Sequence, residues 1–140
     1  MKKDTNSIGI ITESELMLNA LKHEIEVSIP YGDHHKYDQI WDIEGKLYKI
    51  QIKTARPTKG GRAFDFNCYS VSNGKKHKYK KDEIDYFATV YDSICYLVPV
   101  EECSTEKRLW VGEPAQNITN YNKAEEYEMS KVINTLKANR

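Results

Sequence analysis

The stretch Tyr37-Asp38-Gln39-Ile40-Trp41-Asp42-Ile43-Glu44-Gly45-Lys46-Leu47-Tyr48-Lys49-Ile50-Gln51-Ile52-Lys53-Thr54 decides the reading of this chain. It divides into two alternating segments, Tyr37 to Ile43 and Lys46 to Thr54, joined at Glu44-Gly45, the pattern of a tight β-hairpin. Trp41, Ile43, Tyr48, Ile50 and Ile52 fall on one face and form a core surface. Asp38, Ile40, Asp42, Leu47, Lys49, Gln51 and Lys53 fall on the other. A two-residue turn pairs Ile43 with Lys46 and so sets Asp38 opposite Gln51, where directly opposed Cβ atoms lie about 5 Å apart. Lys53 is two residues further along the same face. Three polar groups therefore converge on one patch of a sheet whose other face is buried. A one-residue slip would scatter them, so the register is the assumption to check.

Around this hairpin the chain reads as one domain. It has 140 residues, 39% of them hydrophobic and 30% charged, in the range of a soluble globular protein. We therefore take 1–140 as a single domain. No apolar run approaches the roughly 20 residues of a membrane-spanning helix. The N-terminus lacks the apolar core of a signal peptide. Three cysteines, Cys68, Cys95 and Cys103, show no C-x-x-C spacing, which argues against a disulfide framework or a zinc site and for a cytoplasmic protein with reduced thiols.

Upstream of the hairpin, Ser7 to about Glu24 has helical periodicity, and Ile10, Met17, Leu18, Leu21 and Ile25 share the face expected to be buried, with Ser14 among them. Glu13 lies at its edge. Glu15, the rival acid, is about 200° around the helix from Glu13, so only one of the two faces the sheet. Glu26 to Pro30 reads as a short strand. Downstream, Ala63 to Ser70 alternates as a half-buried strand, Ser72 to Lys80 reads as a basic loop, and Lys81 to Tyr91 as a short helix with Ile84, Phe87, Ala88 and Tyr91 inward. Ile94 to Val100 is a buried strand and Arg108 to Val111 a shorter one. Asn122 to Glu125 predicts the capped start of a C-terminal helix running to about Lys137. Its apolar residues Met129, Val132, Ile133 and Leu136 suit either an interface or the monomer's core.

The net charge of zero conceals a segregation. Between Lys46 and Lys81 there are eleven basic residues and one acid, Asp65, a balance of +10, while the remaining 104 residues carry −10. Such a block is the footprint expected for a polyanion such as nucleic acid. Arg56, Lys59, Arg62, Lys75, Lys76, Lys78, Lys80 and Lys81 are its DNA-contact candidates. Hard oxygen ligands from Glu13, Asp38 and the Gln51 amide suit Mg²⁺, and Lys53 beside them suits stabilisation of charge on a phosphoryl oxygen. The chemistry these groups compose is phosphodiester hydrolysis.

Tyr37-Asp38 followed by Gln51-Ile52-Lys53-Thr54-Ala55 resembles the catalytic core of the PD-(D/E)XK nuclease superfamily, and more narrowly its Q-x-K branch of intron-encoded, homing-type endonucleases. Gly9-x-x-Thr12-Glu13, Ser28-Ile29-Pro30-Tyr31-Gly32-Asp33, Ile84-Asp85-Tyr86-Phe87 and Cys95-Tyr96-Leu97-Val98-Pro99-Val100 fit the same branch in the same order. The resemblance implies a restriction-endonuclease-like αβββαβ core, a mixed central sheet flanked by helices, with a C-terminal helix added. The order read from the pattern agrees with it. It also implies roles: Glu13, Asp38 and Gln51 as metal ligands with the Ile52 carbonyl, Lys53 as catalytic lysine, Mg²⁺ as cofactor with Mn²⁺ as substitute, and double-stranded DNA as substrate of a homodimer or homotetramer. Two departures stand out. Tyr37 occupies the place of the usual proline, and Gln51 removes a negative charge, which weakens metal binding. A junction-resolving nuclease is the alternative within the same chemistry, and an inactive DNA-binding module the alternative outside it.

Overall fold

The computed structural model describes residues 4–115 and 118–139. Its elements in chain order are α1 (Thr5–Lys22), β1 (Glu26–Ser28), β2 (Gln39–Ile43), β3 (Lys46–Ile52), β4 (Arg56–Pro57), β5 (Ala63–Asn67), β6 (Tyr69–Ser72), β7 (Lys75–Lys78), β8 (Tyr86–Tyr91), β9 (Ile94–Pro99), β10 (Glu106–Trp110) and α2 (Met129–Ala138). The central sheet runs β1-β2-β3-β8-β9 and is mixed, because β3 pairs with β8 in parallel while its other pairs are antiparallel. A smaller sheet, β10-β5-β4, and the separate hairpin β6-β7 complete the strands. The restriction-endonuclease-like mixed α/β class read from the sequence holds.

The hairpin register is the expected one. Ile43 pairs with Lys46 and Gln39 with Ile50. Glu44 and Gly45 both take positive φ, 52° and 91°, which a two-residue type I′ turn requires. Asp42 Oδ1 accepts the Gly45 N–H at 2.7 Å and fastens that turn.

Alternation along the strands gives the central sheet two cores. Trp41, Ile43, Tyr48 and Ile50 pack with Ala88, Cys95 and Leu97 under Leu16 and Ala20 of α1 and Met129 and Ile133 of α2. The opposite face packs Phe87, Tyr96 and Val98 against Phe64, Phe66 and Leu109 of the smaller sheet. Because Met129 and Ile133 are fully enclosed, the apolar face of α2 completes the monomer's core.

Ser72 to Lys80, expected to be a basic loop, carries strand β7 paired with β6, and three further expectations are corrected. The buried stripe of α1 is Thr12, Leu16 and Ala20, whereas Ile10, Leu18 and Leu21 are exposed. Ala20 and Thr12 let the helix approach the sheet closely, and the Thr12 hydroxyl is satisfied by the Ile8 carbonyl at 3.0 Å. Second, the helix expected over Lys81 to Tyr91, the second helix of the αβββαβ order, is a turn at Lys81–Glu83 followed by β8. The contiguous buried run Phe87-Ala88-Thr89 is that of a central strand covered on both faces, and its β-branched and aromatic residues favour extension. Third, α2 begins at Met129, after a 3₁₀ turn at Ala124–Tyr127, and no side chain caps it. Asn122, the expected cap, instead gives its carbonyl to the Trp110 N–H at 2.9 Å.

Candidate active site

Asp38 immediately precedes β2, just beyond the last ladder pair Gln39–Ile50, and its backbone N–H donates to the Ile50 carbonyl at 2.8 Å, one residue out of the ladder's register. The expected direct pairing of Asp38 with Gln51 is therefore absent from the ladder, and side-chain contacts bring the two together. The Asp38 side chain reaches across the pair, where Oδ2 accepts the Ile52 N–H at 2.8 Å. With its nitrogen turned inward, the Gln51 amide donates to the Lys36 carbonyl at 2.6 Å and to Asp38 Oδ2 at 3.3 Å. Of the Asp38 carboxylate, Oδ1 makes no hydrogen bond with the described residues, so it is the oxygen available to a ligand.

Glu13 joins this pair from α1. Its carboxyl is pushed above the usual range by burial and then by the nearby Asp38 charge. Asp38 is raised too, chiefly by burial, against the opposing pull of the Ile52 N–H and of Lys53. Glu15 instead adds, after burial, to the raising of the Cys95 thiol. Gln39 holds α1 in place: its Nε2 donates to the Glu13 carbonyl at 3.3 Å while its Oε1 accepts the Trp41 indole N–H at 2.8 Å. Gln39 is almost fully buried. Its parity with Trp41 and Ile43 was visible in the sequence, its link to Glu13 was not.

Lys53 follows β3 on the same face as Gln51. Its Nζ donates to the Tyr69 carbonyl at 3.1 Å and stands 5.3 Å from the centre of the Tyr79 ring. Burial pulls its ammonium below the usual lysine range, and the nearby Asp38 charge works in the opposite direction. Tyr69 and Tyr79 are thus partners of the site that pattern reading did not single out. Ile52 turns its side chain to the helix-covered core while its N–H serves Asp38.

The structure therefore brings Glu13, Asp38, Gln51 and Lys53 together. Among the described residues no three His, Cys, Asp or Glu side chains form a metal cluster; the site gathers the Glu13 and Asp38 carboxyls, with the Gln51 amide turned nitrogen-inward. Two carboxyls held partly out of water near each other are costly when ionised, and a cation between them removes that cost. The residues fit a hard divalent ion.

The basic candidates are spread more widely. Lys75, Lys76 and Lys78 lie on β7 and are exposed. Lys59 and Arg62 are exposed in the loop between β4 and β5, and Lys80 follows β7. Arg56 pairs with Glu106 at 3.4 Å, and Lys81 with Asp85 at 3.2 Å and Glu101 at 3.6 Å. Asp65, the single acid of the block, is taken by Arg108 in a two-pronged pair at 2.6 and 3.0 Å.

A profile of PD-(D/E)XK endonucleases matches residues 3–130, nearly the whole chain. The chain belongs to the PD-(D/E)XK endonuclease family. Its fold is shared with the bacterial homing endonuclease I-Ssp6803I, which superimposes with a TM-score of 0.77 over 98% of this chain and 97% of that one at 21% identity. The crystal structure of MepB aligns more loosely, with a TM-score of 0.40, 14% identity and coverage of 90% and 93%. No curated protein sequence matches the chain. Divalent metals are the usual cofactors of this family, in keeping with the oxygen donor set. No helix among the described residues is long and apolar enough to cross a membrane.

Proposed function

We propose that this chain is a Mg²⁺-dependent endonuclease that hydrolyses phosphodiester bonds in double-stranded DNA, of the sequence-specific homing type. The observation that carries the reading is the meeting of Asp38, Gln51 and Lys53 on one sheet patch with Glu13 from α1, beside a basic surface. Glu13, Asp38, the Gln51 amide oxygen and the Ile52 carbonyl are the candidate metal ligands, Mn²⁺ being a possible substitute. The metal would lower the pKa of a bound water and stabilise charge on the phosphoryl oxygens. Asp38, anchored by the Ile52 N–H, offers Oδ1 as a fixed ligand. Gln51 contributes after its amide turns its oxygen inward, exchanging the Lys36 bond for the metal. Lys53 supplies positive charge where the phosphate oxygens gather negative charge, from a partly desolvated position that strengthens its effect. Arg56, Lys59, Arg62, Lys75, Lys76, Lys78, Lys80 and Lys81 supply the phosphate-binding surface.

We read residues 1–140 as one nuclease domain acting as a homodimer or homotetramer, since cutting both strands takes two sites. The exposed stripe of Ile10, Leu18 and Leu21 on α1 supports such an assembly, whereas α2 serves the monomer's core. The free cysteines support a reducing, cytoplasmic setting. The test is a time course on a library of long duplexes with Mg²⁺, comparing wild type with Lys53→Ala. Discrete fragments from wild type alone support the reading; no cleavage with any divalent ion, with DNA binding retained, supports a binding module instead.

A further inference from the structure

The β6-β7 hairpin stands apart from both larger sheets, and every residue from Val71 to Lys78 is exposed. Its strands pair Tyr69 with Lys78, Ser70 with His77, Val71 with Lys76 and Ser72 with Lys75. They close through Asn73 and Gly74, both at positive φ, 53° and 74°, the same type I′ geometry as the catalytic hairpin. A lone two-stranded ribbon is marginal in water. Beyond its ladder this one is held by the Lys76 ammonium 4.5 Å from the Tyr69 ring centre and, at its root, by the Lys53 bond to the Tyr69 carbonyl. A ribbon of this width is one of the two secondary structures that the DNA major groove admits.

The pleat distinguishes its faces. Cys68 and Tyr79, just below the ribbon, are buried against the smaller sheet. The face that starts with them continues outward through Ser70 and His77 to Ser72 and Lys75. The other face carries Tyr69, Val71, Lys76 and Lys78. Lys53 meets the ribbon where the first face leaves the core, bonded to the Tyr69 carbonyl and beside the Tyr79 ring. Ser70, His77, Ser72 and Lys75 thus lead away from the candidate catalytic lysine. Their hydroxyl, imidazole and ammonium groups supply the donors and acceptors that base edges match.

We infer that the β6-β7 ribbon enters the major groove, that Ser70, Ser72, Lys75 and His77 read base edges there, and that Lys76 and Lys78 hold phosphates. This rests on the endonuclease reading and adds to it the element that chooses the sequence. Four residues of strand at about 3.3 Å each reach roughly 13 Å from the root, so the bases read lie on the order of four base pairs from the cut.

The test uses the full chain, with Ca²⁺ in place of Mg²⁺ during selection of bound duplexes from a random pool. Guanine-N7 methylation interference, which reports on the major groove, then maps the recovered site. Wild type should give a motif with interference within about four base pairs of the cut made in Mg²⁺. Ser70→Ala/His77→Ala should recover a motif degenerate at one or two of those positions, lose interference there, and bind the wild-type site roughly 10- to 100-fold more weakly. His77→Gln, which keeps a donor and an acceptor, should restore most of that affinity. Lys76→Ala/Lys78→Ala should keep the motif, weaken all sequences alike and lower the salt slope by about 2. Ser72→Ala/Lys75→Ala, at the exposed tip, supplies the same readout if the first pair alters the thermal midpoint. An unchanged motif and interference pattern in the face variants, with wild type still cutting, overturns the ribbon assignment alone. A wild type that binds no duplex overturns the endonuclease reading along with it.

Discussion

Asp38 Oδ2 accepts the backbone N–H of Ile52 at 2.8 Å, so the central acid of the site is fastened to the strand that carries Gln51 and Lys53. The bond makes the proposed metal ligand also a clamp between the Asp38 end of β2 and β3. Asp38→Ala should therefore lose cleavage and also destabilise the fold by about 1–3 kcal/mol, because it leaves a partly buried N–H without an acceptor. Asp38→Asn keeps an acceptor and should hold its stability while cleavage still falls. Urea melts of the two variants beside their cleavage rates check this; equal destabilisation in both would contradict the clamp.

Lys53 is held by a backbone carbonyl and an aromatic ring, so its position is fixed by the ribbon root. Lys53→Ala should lower the single-turnover cleavage rate by about 10²- to 10³-fold, the usual cost of removing one stabilising donor. DNA affinity should change much less, since the other lysines remain. Lys53→Arg should not rescue, because a planar guanidinium does not substitute for a compact ammonium. Equal losses in binding and rate would make Lys53 a phosphate contact only.

Glu13 has its carboxyl raised above 4.5 by burial and by Asp38. The folded state then holds that proton more readily than the unfolded chain, so its contribution to stability is present below about pH 4.5 and is lost as pH rises through the folded value. With chelator present, Glu13→Gln should melt higher than wild type at pH 7, and the difference should vanish near pH 4. Mg²⁺ should raise the wild-type midpoint more than the variant's. A variant less stable than wild type at pH 7 without metal would remove the case for repulsion.

In the proposed site, Gln51 would supply a neutral oxygen where a carboxylate would carry charge. Gln51→Glu should tighten Mg²⁺ binding by roughly tenfold, since ligand charge sets affinity at such sites. Calorimetric titration at fixed ionic strength reads it. Binding in both proteins should weaken on acidification, starting above the ordinary carboxylate values because Glu13 and Asp38 are both raised.

Trp41 is fully buried and its indole N–H satisfies Gln39, which in turn holds the Glu13 carbonyl. Trp41→Phe should cost about 1–3 kcal/mol through the unsatisfied Gln39 oxygen. It should also weaken metal affinity, as α1 loses a tether next to Glu13. A stability loss with unchanged metal affinity would limit Trp41 to packing.

What the sequence by itself determined was local and periodic. The period-two alternation and the Glu44-Gly45 turn dictated the register of β2 and β3, and with it the meeting of Asp38, Gln51 and Lys53. A one-residue slip would have buried those charges, so the correct pairing was the one the core permitted. The charge segregation and the buried strand β9 were equally legible. What only the tertiary structure decided was which of two competing surfaces is covered. Ile10, Leu18 and Leu21 are apolar and share a helical face, yet Leu16 faces the sheet, because the small Thr12 and Ala20 on either side of it permit closer approach. Phe87 to Tyr91 fits a helix by spacing and becomes a strand because both of its faces meet packed layers. The basic run after Ser72 carries no core signal, and its folding into a ribbon rooted on Lys53 depends on Cys68 and Tyr79 being anchored in a core assembled from distant strands.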